Sequence, residues 1–312
     1  MSKAKLGTQP GGRPPAAVEI TPEGVLAGAV PAPGQPPVYA FQALPAGAVL
    51  PGVGEPNMRA GEAVVAAIRS TLGQVSPRTK AVTLVVPDPV VRVFVLDFDS
   101  LPAKPAEAFP VLKFRLRKMV PFDVEHAGVS YQVLAANQHE CKVLAAVLPG
   151  MILAEYEEAV RAAGYEPGAV LPSSLAALDA IDLMEAVLIA NLSPVALTTS
   201  ITNGQDLLLY RTLDLPEETG ARLDEVRRGV AVAAAYYEDK LGGRPTRLHF
   251  AGNSGTAESG AEEFARWIDD PEMSVVELAA RPATGAITSL GTTCVAAVAG
   301  ALALHGGQAG VR

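Results

Sequence analysis

Residue types able to do covalent or metal chemistry occur in this chain, but few stand at spacings that such chemistry uses. His126, His139, His249 and His305 are scattered, with no HExxH pair one helical turn apart to grip zinc. Ser254, in Gly252-Asn253-Ser254-Gly255, is not framed as a Gly-x-Ser-x-Gly nucleophile elbow. Asp269 and Asp270 form a carboxylate pair, yet a helix stop before Pro271 accounts for them. Cys141 and Cys294 lie far apart without a CxxC spacing, so neither a disulfide framework nor a metal site is expected. What remains is a set of polar residues beside apolar runs: Glu19 and Thr21, Asn191 and Ser193, Gly252 and Asn253.

The hydrophobic pattern says which elements would position them. Ala16–Val30 reads as strand, turn, strand, with Thr21-Pro22-Glu23-Gly24 as the turn. Val38–Leu44 is a short strand within a Pro/Gly-rich connection, 31–56. Val64, Ala67, Ile68 and Leu72 mark one face of a helix over Ala60–Leu72 that Gly73 can end. Ala81–Pro87, AVTLVVP, shows no alternation, as expected of a strand covered on both faces. Leu188–Ile201 and Leu207–Leu213 flank an Asn203-Gly204 step, a strong hairpin signal, and we read them as the first hairpin of a second domain.

Between these halves lies a compact unit: a strand over Val90–Phe98, a helix from Pro105 to about Met119, then paired strands Val129–Ala135 and Lys142–Val147. Phe109, Leu112, Leu116 and Met119 form its predicted core stripe. Lys113 and Arg117 share a flank that could contact a partner.

At 312 residues, 49% of them hydrophobic and 19% charged, the chain is long enough for two cores. A net charge of −8 argues against nucleic acid as a partner, because phosphate binding needs clustered Lys and Arg. Residues 1–15 have no secretory apolar core and read as a disordered lead-in. The longest apolar stretch, near Cys294–Leu304, falls well short of the roughly 20 residues that span a bilayer. A reducing, cytoplasmic setting fits these features.

The order of motifs from about residue 16 to 306 resembles the PilM family of type IV pilus assembly proteins, in the actin-like ATPase superfamily. In that family a small inserted domain closes its helix with a Tyr/Val-Pro-Phe step, matched by Val120-Pro121-Phe122, and continues with a Gln-containing strand, matched by Tyr131-Gln132-Val133-Leu134. A helix with a Glu-Tyr core follows, matched by Glu155-Tyr156. The stretch from Asp224 through Arg227-Arg228 and Tyr236-Tyr237 to Phe250-Ala251-Gly252 is similar to the family's Arg-Arg helix and the strand before its adenosine loop. Gly300-Ala301-Leu302-Ala303-Leu304-His305-Gly306 is similar to the small-residue helix, here spanning Gly291–Leu304, that returns to complete the first domain.

The resemblance implies an α/β, actin-like (ribonuclease H-like) two-lobe fold with an inserted small α+β subdomain. Residues 16–87, completed by 149–180 and 290–306, would form the first lobe. Residues 88–148 would form the insertion, 181–289 the second lobe and 307–312 a flexible tail. That second lobe is expected to be truncated, because Leu215 is followed almost at once by the helix from Arg222, where relatives have a subdomain walling the adenine pocket. The nucleotide motifs are degenerate. Glu19, Thr21 and Pro22 stand where the first phosphate loop has Asp-x-Gly-Ser/Thr. Asn191 replaces the magnesium-ordering Asp, Ser193 and Pro194 follow it, and Gly252-Asn253 keep one glycine of the adenosine loop. A proline lacks the N–H that grips phosphate, and an amide lacks the charge that orders magnesium-bound water.

The expectation is therefore a pseudo-ATPase with no cofactor, ATP and magnesium being disfavoured. It would be a cytoplasmic scaffold of a type IV pilus or related secretion machine, peripheral to the inner membrane and touching it only through partners. The resemblance implies as partners the cytoplasmic tail of a PilN-like inner-membrane protein and the pilus motor ATPase. Arg92, Lys113, Arg117 and Phe122 are placed at the rim of the tail-binding groove. Two alternatives stay open: an actin-like ATP-binding protein with weak turnover, and a domain related to the general-secretion L component.

Overall fold

The computed structural model describes residues 13–137, 139–180, 185–204, 206–252, 260–279 and 294–303. In chain order the first elements are β1 (Ala16–Ile20), β2 (Gly24–Ala29), β3 (Val38–Ala43), α1 (Gly61–Val75) and β4 (Ala81–Val86). Then come β5 (Arg92–Phe98), α2 (Pro105–Leu116), β6 (Ala127–Ala136) and β7 (Cys141–Pro149), followed by α3 (Gly150–Ala162), β8 (Glu166–Pro172) and α4 (Ser173–Leu178). The remainder is β9 (Ala186–Leu192), β10 (Ala196–Asn203), β11 (Asp206–Asp214), α5 (Thr219–Leu241), β12 (Arg247–Gly252), α6 (Gly260–Ile268), β13 (Ser274–Glu277) and α7 (Ala296–Ala303).

Two five-stranded sheets repeat one plan. Their orders are β3-β2-β1-β4-β8 and β11-β10-β9-β12-β13. In each, three consecutive antiparallel strands are continued by two parallel ones on the far side of the first strand. The duplicated order is that of the actin-like, ribonuclease H-like two-lobe fold. A third sheet, β5-β7-β6, is wholly antiparallel and belongs to the unit inserted between β4 and α3.

Alternation along the strands assigns each face. Ala16, Val18 and Ile20 of β1, with Val82, Leu84 and Val86 of β4, pack against Ile68 and Leu72 of α1 and Ile152 and Tyr156 of α3. Ala17 and Val85 point the other way, into a core shared by both lobes. That core holds Ala176 and Ala177 of α4, Val298 and Leu302 of α7, and Val187, Ile189 and Ala251 of the second sheet. With both faces covered, the strands read as largely apolar runs, broken by Glu19 in β1 and Thr83 in β4. The outer face of the second sheet buries Leu188, Leu197 and Phe250 against Val226 and Val230 of α5 and Phe264 of α6.

α4 and α7 thus lie between the lobes, and their approach is close. A Cβ added to Gly300 would sit 1.9 Å from the Ala176 carbonyl oxygen, so only glycine fits there. The late helix does return to the first sheet, as expected, with Val295, Val298 and Leu302 buried; Gly291–Thr293 and Leu304 lie outside the described residues.

Several expected boundaries shift. Leu188–Ile201 is not one strand. It breaks at Ser193-Pro194-Val195, because Pro194 cannot donate to a ladder, and the Asn203-Gly204 step joins β10 to β11 instead. Gly73 does not end α1, since burying Val75 outweighs the cost of about 1 kcal/mol for one glycine. The helix stops at left-handed Ser76, whose hydroxyl donates to the Gly73 carbonyl at 3.0 Å. The strand from Val90 begins at Arg92, after a 3-10 turn over Asp88–Val90. The predicted helix to Met119 ends at Leu116 and Met119 turns to solvent, while at the other end of the stripe Ala108 is buried and Phe109 only half-buried. At the end of the stretch read as disordered, Arg13 is ion-paired with Asp179 at 2.8 Å and the Pro15 carbonyl accepts from Val30 at 2.9 Å. Residues 1–12 and the 307–312 tail lie outside the described residues.

Between β11 and α5 run only residues 215–218, and Glu218 caps the helix by accepting from the amides of Gly220 and Ala221 at 2.8 and 2.6 Å. Among the described residues no helix is long and apolar enough to cross a membrane.

Candidate functional site

Five of the six degenerate-motif positions meet in one interlobe cleft. Glu19, Thr21, Asn191, Ser193 and Gly252 all line it, beside Asp88, Ser173 and Cys294; Asn253 lies outside the described residues. The cavity is narrow, about 70 Å³, room for a few waters.

The two hairpins that enter the cleft are near copies of each other. In the β1–β2 turn the Thr21 amide donates to the Gly24 carbonyl at 2.9 Å. Its hydroxyl accepts from the Gly24 amide at 3.2 Å and donates to the Gly24 carbonyl at 3.0 Å. In the β9–β10 turn the Ser193 amide donates to the Ala196 carbonyl at 2.9 Å. The Ser193 hydroxyl accepts from the Ala196 amide at 3.0 Å and donates to that carbonyl at 3.2 Å. A proline, Pro22 or Pro194, occupies the next position in both. The prolines carry no N–H, the amides of Thr21 and Ser193 are bonded to carbonyls across the turn, and those of Gly24 and Ala196 to the Thr21 and Ser193 hydroxyls, which leaves few turn amides for an anion.

Behind the turns, a chain of side-chain hydrogen bonds crosses from lobe to lobe. The Ser173 hydroxyl donates to Glu19 Oε1 at 2.7 Å, and the Asn191 amide donates to the hydroxyls of Ser173 at 3.3 Å and Ser174 at 2.9 Å. Asp88, after β4, accepts from the Ser174 amide at 2.9 Å, from the Ser174 hydroxyl, from Thr198 of β10 at 2.9 Å and from Tyr210 of β11 at 3.1 Å. Protons run in one direction, from amide through hydroxyls to carboxylates. This is why residue 191 is an amide: an aspartate would present acceptors to two hydroxyls already committed to other acids.

Electrostatics in the cleft are those of buried acids. Burial pushes Glu19 up to about 7, against the bond from Ser173 and with help from the nearby Asp88 charge. Burial also raises Asp88 despite its four hydrogen bonds, and raises Glu23. Tyr210, buried and facing the Asp88 carboxylate, is held well above its ordinary value. Among the described lining residues there is no Lys or Arg. Among the described lining residues, then, the charge offered to a ligand is that of acids.

Gly252 ends β12 at φ +149, and a Cβ there would come within 2.4 Å of the Leu192 carbonyl oxygen. Contact between β12 and β9 is thus enough to require the glycine of the adenosine-loop motif. Glu155 and Tyr156 also have a structural duty. The Glu155 carboxylate accepts from the amides of Asn57 and Met58, each at 2.8 Å, and Tyr156 donates to Asn57 Oδ1 at 3.3 Å, fastening the 45–60 connection to α3.

The expected partner residues gather only in part. Lys113 and Arg117 both pair with Glu125, Lys113 Nζ at 3.5 Å, and Phe122 packs in a cluster with Leu116 and Val124. Arg92 stands apart at the start of β5 and donates to the Pro89 carbonyl at 2.8 Å. Sequence reasoning missed Asp88, Ser173, Ser174, Thr198 and Tyr210. The one available signal was Asp88, the single charged residue in the run from Ala81 to Val91.

No family model matches the chain, and no curated protein does. Among solved structures it is similar to a chain of the PilM–PilN type IV pilus biogenesis complex, at 17% identity with TM-score 0.72, covering 93% of this chain and 97% of that one. It is also similar to the cytoplasmic domain of EpsL, an inner-membrane component of the type II secretion system of Vibrio cholerae. That match is at 13% identity and TM-score 0.49, over 86% and 87% of the two chains. A Bacteroides thetaiotaomicron protein described as having an actin-like ATPase fold matches at 12% identity and TM-score 0.46, over 84% and 90%. The first likeness agrees with the duplicated sheet order in assigning the fold.

Proposed function

We propose that this chain is a PilM-like cytoplasmic scaffold of a type IV pilus or related secretion machine, held at the inner membrane by its partners, and that it does not hydrolyse ATP. The likeness to a chain of the PilM–PilN complex supports the first half of this reading. The second half is carried by the paired turns, in which the hydroxyls of Thr21 and Ser193 and the rings of Pro22 and Pro194 occupy the positions that would grip phosphate. With its lobes bonded through Asp88 and Asn191, the cleft works as internal support, leaving the inserted subdomain to meet partners.

The partner is the short cytoplasmic tail of a PilN-like membrane protein, bound in an apolar groove between the first lobe and the insertion, with polar anchors at its rim. Lys113, Arg117 and Phe122 sit at that rim, with Arg92 farther along. An acidic residue in the tail would compete with Glu125 for the two bases. The pilus motor ATPase is a further partner in this reading.

Isothermal titration calorimetry tests both halves. A tail peptide from the PilN-like neighbour should bind saturably, and Lys113→Ala with Arg117→Ala should weaken it by about tenfold, the 1.4 kcal/mol expected of rim charge contacts. Magnesium-ATP should give no saturable heat at about millimolar concentration. Saturable binding with turnover would return the chain to the working ATPases.

A further inference from the structure

α2 buries Ala108, Leu112 and Leu116 against its sheet and turns an unusual surface outward. Val111 is 38% exposed, Phe114 62% and Met119 40%, so half of the six large exposed hydrophobics of the described chain fall within nine residues. Val111, Phe114 and Lys118, three and four residues apart, share one side of the helix and the turn after it. Lys113, Arg115, Arg117 and Lys118 stand around them in a chain whose net charge is −8.

The counter-charges are few. Glu125 pairs with Lys113 and Arg117, Lys104 with Glu107 at 3.4 Å, and Asp123 with His126 at 2.6 Å. Arg115 and Lys118 have no ion pair among the described residues. Lys118 instead holds its ammonium 5.2 Å from the centre of the Phe114 ring.

We propose that this face of α2 is a docking surface for an anionic lipid bilayer. Charge complementarity and side-chain type point to that occupant. An aromatic ring on the crest of a helix, flanked by Lys and Arg on long apolar stems, matches the composition of interfacial segments. The ring enters the headgroup boundary and the cations extend to lipid phosphates. Because the rest of the molecule is acidic, repulsion elsewhere would orient the contact through α2. One ring and two free cations give a weak interaction, which becomes useful once a membrane-borne partner raises the local concentration. This inference needs no particular partner and stands or falls apart from the function proposed above.

Co-sedimentation of the full chain with vesicles tests it. Binding to phosphatidylcholine vesicles containing phosphatidylglycerol should exceed binding to phosphatidylcholine alone by about tenfold at low salt and fall at high salt. The triple variant Phe114→Ser, Arg115→Glu, Lys118→Glu should lose that excess, whereas Lys240→Glu, on α5, should keep it. All three altered residues are exposed, so an unchanged melting curve is expected to accompany the loss. Absence of binding by the wild-type chain, or equal binding by the triple variant, would overturn the proposal. So would size-exclusion data showing a wild-type dimer that Phe114→Ser makes monomeric, since the face would then belong to a second copy.

Discussion

The two lobes share strand order and turn geometry, yet their contributions to the cleft differ in charge. The first sheet brings acids, Glu19 on β1 and Asp88 after β4; the second brings only donors at matching depth, Asn191 on β9, Thr198 on β10 and Tyr210 on β11. Two copies of one plan have become complementary where Asp88 and Asn191 bond across the lobes. At the ends of the fourth strands the divergence is sharper still. Asp88 opens onto an inserted subdomain, whereas Gly252 is pressed against Leu192. A duplicated scaffold can thus carry different polar residues at equivalent depths of its two sheets and use them for lobe-to-lobe bonding.

Glu19→Gln should have the largest effect on that asymmetry. Glu19 titrates near 7 when folded and near 4.5 otherwise, so between those values the unfolded chain binds fewer protons and stability falls as pH rises. The variant removes this dependence. In urea titrations it should match wild type near pH 4.5 and exceed it by about 3 kcal/mol at pH 8. A wild-type stability that is flat across this window would show that Glu19 is not held protonated. Next in size, Asn191→Asp should cost about 2 kcal/mol at neutral pH by adding an unpaired acceptor charge between Ser173 and Ser174. Equal or greater stability would mean that the amide direction of the network is misassigned. The smallest effects should come from Thr21→Ala and Ser193→Ala, about 1 kcal/mol each and additive in the double variant, because the two turns are alike and lie in different lobes. A marked difference between them would break the analogy of the hairpins.

Local patterns made much of the architecture legible. The apolar run Ala81–Pro87, the turn at Thr21-Pro22-Glu23-Gly24 and the alternation beyond Arg92 each report on neighbours close in sequence, and each fell near its observed place. The weakness of Pro22 and Pro194 as phosphate grips was readable for the same reason, since a missing N–H is a property of the residue itself. The Asp88 network was not, because its partners stand 86, 110 and 122 positions away and nothing near Asp88 in the chain signals them. Periodicity carried the α2 stripe as far as Leu116 but could not tell that the backbone tightens at Arg117–Met119 and swings Met119 outward. The grouping of Lys113 and Arg117 was visible as helical spacing, whereas their shared counter-ion, Glu125, lies beyond the helix and depends on how the chain turns back.

The fit of α7 against α4 sets a timetable for synthesis. The first sheet finishes with β8, yet the helix that seals its inner face is translated only after the whole second sheet. At about 10 residues per second, the nascent lobe spends roughly ten seconds with that side uncovered. During this interval the apolar residues Ala17 and Val85, which α7 later covers, would be open to chaperones or to a neighbouring nascent chain.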